Sequence, residues 1–317
     1  MTAQRYILEK LNELRDFAPT QFQGDIEQEI VRLVLSKKFR KYSANEILIQ
    51  HIKDAVHESV SKNEPISLTF LHGAYKLWQL DEAPETDWAE LFSLMYYTKW
   101  LKPICEIYKP GVWLDFYVDD TIIKRIDNLT QTEIDDYLKS YNKTMKFLSQ
   151  YQPKNLRMTI TTTSSKLGGE AKLDNLIDEN LANTEMPILN DAQRNMVELN
   201  VRLKPNQSDD PMWREKVLRL HNSYMQIKRT GHYAYGEKNK ILVFTQPLAS
   251  GMFVAVGSTK NSIMKFWIGV GALRTKNDTL EMTILSQNQL ENVDFDWQNV
   301  TISGLDGKNF QKVRVLK

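Results

Sequence analysis

The stretch from Ile66 to Tyr141 narrows the folds open to this chain more than any other. It reads in turn as an apolar strand (ISLTFLHGAYK), a polar break (DEAPETD), a long amphipathic helix (WAELFSLMYYTKWLKPICEIY), a second strand (KPGVWLDFYVDDTIIKR) and another helix. Strands separated by helices of this length predict crossover connections between neighbouring parallel strands. In such units the joints at the carboxyl ends of the strands are where ligands bind, and the polar residues here bunch at the joints.

Capping signals place the helices. Ser43-Ala-Asn-Glu46 predicts a helix over 43–61, Asp87 with Glu90 opens one in which Pro103 predicts a kink or a stop near Lys102, and Thr130-Gln-Thr-Glu133 opens a third. Leu156 to Thr162 predicts a β-branched strand, followed by helical patterns over 170–204 and 211–228. Past Tyr233 the pattern turns to strands, at 241–245, 252–256, 265–273, 280–285, 300–303 and 312–316. The class expected is α/β, a mixed sheet flanked by helices with a strand-rich C-terminal third. A weak boundary falls near residue 235, dividing a helical N-terminus and α/β core (1–235) from a strand-rich segment (236–317) that either stands apart or completes the same sheet.

Charge excludes some partners. Forty-one Lys and Arg against 40 Asp and Glu leave a net charge of +1, so no global field draws in nucleic acid or an anionic membrane. No segment reaches the roughly 18 apolar residues that span a bilayer. The opening MTAQRYILEKLNELRD carries charge on every turn, unlike a signal peptide. The lone cysteine, Cys105, can form no intrachain disulfide, and its apolar setting offers no group to activate a thiol. Together these predict a cytoplasmic chain.

The short motifs favour structural roles over catalytic ones. Tyr117-Val-Asp-Asp120 has the form of a polymerase metal hairpin but lacks the third carboxylate and substrate loop that two-metal chemistry needs. Gly269-Val-Gly271 begins like a dinucleotide fingerprint, yet Arg274 stands where the third glycine belongs and a hairpin follows where a helix should. His51, His57, His72, His221 and His232 form no metal pair, and neither a Gly-x-Ser-x-Gly elbow nor a Walker A loop is present. No metal or cofactor is called for. Lys228-Arg-Thr-Gly-His232 is the densest basic cluster; it caps a helix end electrostatically and also has the chemistry of an anion clamp, through Arg229 and His232. Lys76, flanked by aromatic residues, is a candidate amine nucleophile or phosphate ligand.

The same block resembles the isonitrile synthases of the pyoverdine and dityrosine biosynthesis group. The shared pieces are Gly73-Ala-Tyr-Lys76, Pro84 with Asp87 and Glu90-Leu91, Ile104-Cys-Glu-Ile-Tyr-Lys-Pro-Gly111, Val118-Asp-Asp120, and Asp136-Tyr137 in the next helix. They lie within residues 66–150. The family's Ser-Asp-Gly is Val-Asp-Asp here, Ala74 and Leu77 replace its proline and serine beside the lysine, and its later histidine motif has no counterpart. The resemblance implies a Rossmann-like sheet with helices on both faces. It also implies an enzyme that joins the α-amine of an amino acid to the carbonyl carbon of ribulose 5-phosphate. On that basis Lys76 is expected at the sugar phosphate or carbonyl and Asp119 in proton transfer, while Arg229 and His232 as anion ligands rest on the basic cluster alone. The alternative is a divergent, non-catalytic binding or interaction protein on the same scaffold.

Overall fold

The computed structural model describes residues 1–73, 80–183, 211–229, 239–244, 253–257 and 266–317. Five parallel strands form the central sheet: β1 (Ile66–His72), β2 (Val112–Val118), β3 (Leu156–Thr162), β4 (Lys240–Phe244) and β5 (Phe253–Ala255). Their order is β3-β2-β1-β4-β5. The chain therefore starts in the centre, winds out to β3, and returns to the other side of β1. Such a reversal opens a crevice beyond the carboxyl ends of the two strands that flank it, here β1 and β4. The α/β, Rossmann-like expectation is borne out, with the central sheet wholly parallel.

Helices α1 (Ala3–Arg15), α2 (Ile26–Val34) and α3 (Glu46–Ser61) precede the sheet. The cap of α3 is Asn45, whose side chain accepts from Leu48 N at 2.8 Å, and not Ser43. An oxygen one residue ahead of the helix reaches the third amide, whereas Ser43 stands too far back. Helix α4 (Trp88–Ile107) joins β1 to β2 and has the predicted capping box of Asp87 and Glu90. It also continues past Pro103 to Ile107 and does not stop near Lys102. Trp100, Leu101, Ile104 and Cys105 around the proline are at most 2% exposed, and burial of that size outweighs the ~3 kcal/mol that an interior proline costs.

Pro110-Gly111 turns the chain into β2. Gly111 has φ +74°, and a Cβ there would stand 2.0 Å from the Asn155 carbonyl oxygen, so only glycine fits. After β2 come α5 (Thr121–Asp127) and α6 (Gln131–Leu148), the latter opened by the predicted Thr130–Glu133 capping box. Helices α7 (Glu170–Asn183) and α8 (Pro211–Arg229) follow β3. Residues 184–204 of the predicted helical pattern lie outside the described residues.

Register divides the sheet residues into two sets. Ile66, Leu68, Phe70, Val112, Leu114, Phe116, Leu156, Met158 and Ile160 share one face, where Tyr97 of α4 packs edge-on to Phe70 and Phe116 and Tyr141 of α6 stacks beside Phe116. The opposite face carries Ser67, Thr69, Trp113, Asp115, Tyr117, Arg157, Thr159 and Thr161. Parallel sheets ordinarily bury apolar side chains on both faces, so this second set departs from the rule.

The four remaining strands, β6 (Gly269–Lys276), β7 (Thr279–Ser286), β8 (Phe295–Asn299) and β9 (Lys312–Leu316), build a separate mixed sheet in the order β7-β6-β9-β8. The strand expected at 300–303 is instead a loop, and Phe295–Asn299 just before it forms the ladder with β9. Val300 and Ile302 are buried as loop anchors, which a hydrophobic pattern cannot distinguish from strand. Helix α4 docks on β6 at Gly271, whereas a Cβ on Gly269 would meet the Leu285 carbonyl oxygen of β7 at 2.4 Å. Gly271 N–H donates to the Asp87 carboxylate at 3.1 Å, and a Cβ on Gly271 would lie 2.3 Å from Trp88 Cβ. Gly271 therefore permits the close approach of the first turn of α4.

Candidate functional site

Parallel register settles where the joints after β1 and β2 lie. His72 pairs with Val118, so Gly73 and Asp119 leave the sheet side by side at its carboxyl rim. Of the four expected site residues, Asp119 is fully described. Lys76 and His232 lie outside the described residues, and Arg229 ends α8 with only its backbone described.

Asp119 is 1% exposed. Its Oδ1 accepts hydrogen bonds from the hydroxyls of Tyr224 on α8 and Thr163, the latter at 3.4 Å. Beside it Asp120 accepts from the Ser164 backbone N–H at 3.1 Å and from the Ser164 hydroxyl. Thr163 and Ser164 begin the helical turn that follows β3. The ends of β2 and β3 are thus stitched by paired acid and hydroxyl groups, and α8 is fastened on top. Tyr117-Val-Asp-Asp120 passes from strand into helix α5, so it is a strand-ending joint and no polymerase hairpin.

The Tyr224–Asp119 bond ties α8, whose last residue is Arg229, to the joint after β2. Arg229 is five residues beyond Tyr224, about 7.5 Å along the helix axis. Gly73, the last described residue after β1, leaves the sheet at the same rim as Asp119.

Polar groups continue from Asp119 down the unusual sheet face. Asp115, 6% exposed, accepts from Thr159 Oγ1 at 2.6 Å, which in turn accepts from Trp113 Nε1 at 2.7 Å. Burial pushes the Tyr117 phenol up to about 12, helped by the negative charge of Asp115, so Tyr117 stays a neutral donor at any physiological pH. Residues 115, 117 and 119 stood in the sequence as alternate polar positions of a strand, the one local signal for this track. Tyr224, Thr163 and Ser164 had none, because hydroxyls become site residues only through the partners a fold supplies.

The Pro84, Asp87 and Glu90 motif has a structural role. Asp87 caps α4 and receives Gly271 N–H, while Glu90, fully buried, accepts from Asp87 N at 2.9 Å. Burial, together with the nearby Glu90 charge, pushes the Tyr137 phenol far above its usual range. Cys105 is inert as expected: burial pushes its thiol up to about 12. Among the described residues no helix is long and apolar enough to cross a membrane.

No family model matches the sequence, and no curated protein matches it. Among solved structures the chain is similar to the PvcA protein of Pseudomonas aeruginosa, with a TM-score of 0.61 over 92% of this chain and 100% of that one, at 13% identity. PvcA is of the pyoverdine and isonitrile synthase family that residues 66–150 resemble. At that identity the likeness shows a shared fold.

Proposed function

We propose that the chain is an isonitrile-synthase-like enzyme that condenses the amine of an amino acid with a sugar phosphate of the ribulose 5-phosphate type. The observation that carries this reading is the pairing of His72 with Val118, which sets Gly73, three residues before Lys76 in the sequence, next to Asp119 on a fold shared with PvcA. Condensation requires a neutral amine to attack the ketone carbon. The C–N bond forms, the two amine protons pass to the former carbonyl oxygen, and water leaves the imine. Asp119 has the chemistry to move those protons, Lys76 to polarise the ketone or hold the phosphate, and Arg229 with His232 to neutralise the phosphate dianion.

A second reading, a binding protein without turnover, is favoured by the burial of Asp119 and the two hydroxyls already bonded to it. The two diverge in a thermal-shift and product experiment. With ribulose 5-phosphate at about 100 times Kd, the wild type should gain about 2.7 kcal/mol, and Lys76→Ala should lose that gain. Asp119→Asn should keep the gain while isonitrile product, followed by mass spectrometry, falls by roughly 10²- to 10⁴-fold. Stabilisation that Lys76→Ala abolishes, together with product, would support the enzyme, and no shift at millimolar ligand would argue for the second reading.

A further inference from the structure

Among the described residues no strand pairs with the outer edge of β3. Val112 N–H donates to the Asn155 carbonyl at 3.0 Å, and in a parallel ladder alternate residues then face the neighbour. Arg157, Thr159 and Thr161 therefore spend their backbone groups on β2, while the N–H and C=O groups of Met158 and Ile160 point away from the sheet. Among the described residues none of these outward groups has a partner. The opposite edge is treated differently: Lys41 N donates to Ala255 O at 2.9 Å and Gly257 N to Phe39 O at 3.0 Å, so the segment around Arg40 covers β5.

Seven residues long, with β-branched side chains and one charge, β3 lacks the lysines, prolines or bulges that protect solvent-facing edges. Its Met158 and Ile160 side chains are only partly buried.

We infer that β3 is a dimer interface, through which two copies of this chain pair edge to edge and antiparallel so that two five-stranded sheets run on as one. The sequence of the strand fits itself. With a two-fold axis at Thr159, Met158 faces the partner's Ile160, Leu156 faces the partner's Thr162, and Arg157 faces the partner's Thr161. The central pairs are then apolar (Met158 with Ile160) or threonine on threonine (Thr159), and no arginine opposes an arginine. The parity also agrees. Met158 and Ile160, whose backbone groups point outward, fall at the hydrogen-bonded pairs, and Thr159 falls at a non-hydrogen-bonded one.

Sedimentation velocity of the full chain at micromolar concentration tests this, with Ile160→Pro as the informative variant. That proline removes only an outward N–H, so the β2–β3 ladder keeps its bonds and the monomer its fold. The wild type should sediment at twice the 37.0 kDa chain mass and Ile160→Pro as a monomer with an unchanged circular dichroism spectrum. Should the proline variant fail to fold, Met158→Lys, which places a charge against the partner's Ile160, gives the same reading. A monomeric wild type, or a dimer that survives whichever of these variants folds, would overturn the inference.

Discussion

Raising the pH from 9 to 11 should unfold this protein. Tyr97, Tyr137 and Tyr141 are fully buried, and their burial holds each phenol far above 10, the value it has in an unfolded chain. A raised acid stays protonated in the fold, while the unfolded chain ionises first and binds fewer protons. Stability is then unaffected below about pH 10 and falls as pH climbs above it, by about 1.4 kcal/mol per pH unit for each such group. At pH 11 these three alone remove about 4 kcal/mol, a large share of the 5–15 kcal/mol that holds an ordinary domain together. Tyr6, Tyr96 and Tyr117, each pushed up to about 12, act in the same direction, as does Cys105 from about pH 9. Tyrosinate absorbance should therefore appear in one cooperative step together with loss of helical circular dichroism. Smooth titration of all tyrosines near pH 10 with the helix signal intact would contradict the packing described for α4 and α6.

Gly271→Ala should cost roughly 3 kcal/mol or more, at the upper end for overpacked sites. The added methyl would meet Trp88 Cβ at 2.3 Å, Trp88 C at 2.4 Å and Ala89 N at 2.5 Å. All three belong to the first turn of α4 or its backbone, which cannot swing aside as a side-chain tip can. Moving the helix away would also break the Gly271 N–H bond to Asp87, weakening the cap. Gly257→Ala is the control, since its Cβ would meet nothing closer than Lys41 Cβ at 3.4 Å, and it should change the urea midpoint little. Equal midpoints for the two variants would show that α4 does not dock on β6 through this glycine.

What could be read from the sequence was whatever depends on near neighbours. The Asp87–Glu90 and Thr130–Glu133 boxes, the Pro110-Gly111 turn and the bounds of β2 and β3 follow from spacing of a few residues, and they stand. The continuation of α4 through Pro103 did not, because the burial that overrides the proline comes from other elements. The same limit governs the site. Asp119 is legible as a polar residue closing a strand, but its partner Tyr224 lies 105 residues away and sits in a helix whose pattern marks it as ordinary core. The paired glycines at 269 and 271 carried a cofactor-like signal because close approach demands glycine, whether the visitor is a pyrophosphate, the β7 backbone at Gly269 or a helix at Gly271.

Hydrogen exchange in the presence of ribulose 5-phosphate tests most directly whether the joints after β1 and β2 and the end of α8 line one ligand site. The account predicts slowed exchange in three separate segments at once, around residues 73–80, 119–124 and 224–232, with the strand-entry rim near Asn155 unchanged. Protection confined to one of these segments, or appearing at the Asn155 rim, would contradict it.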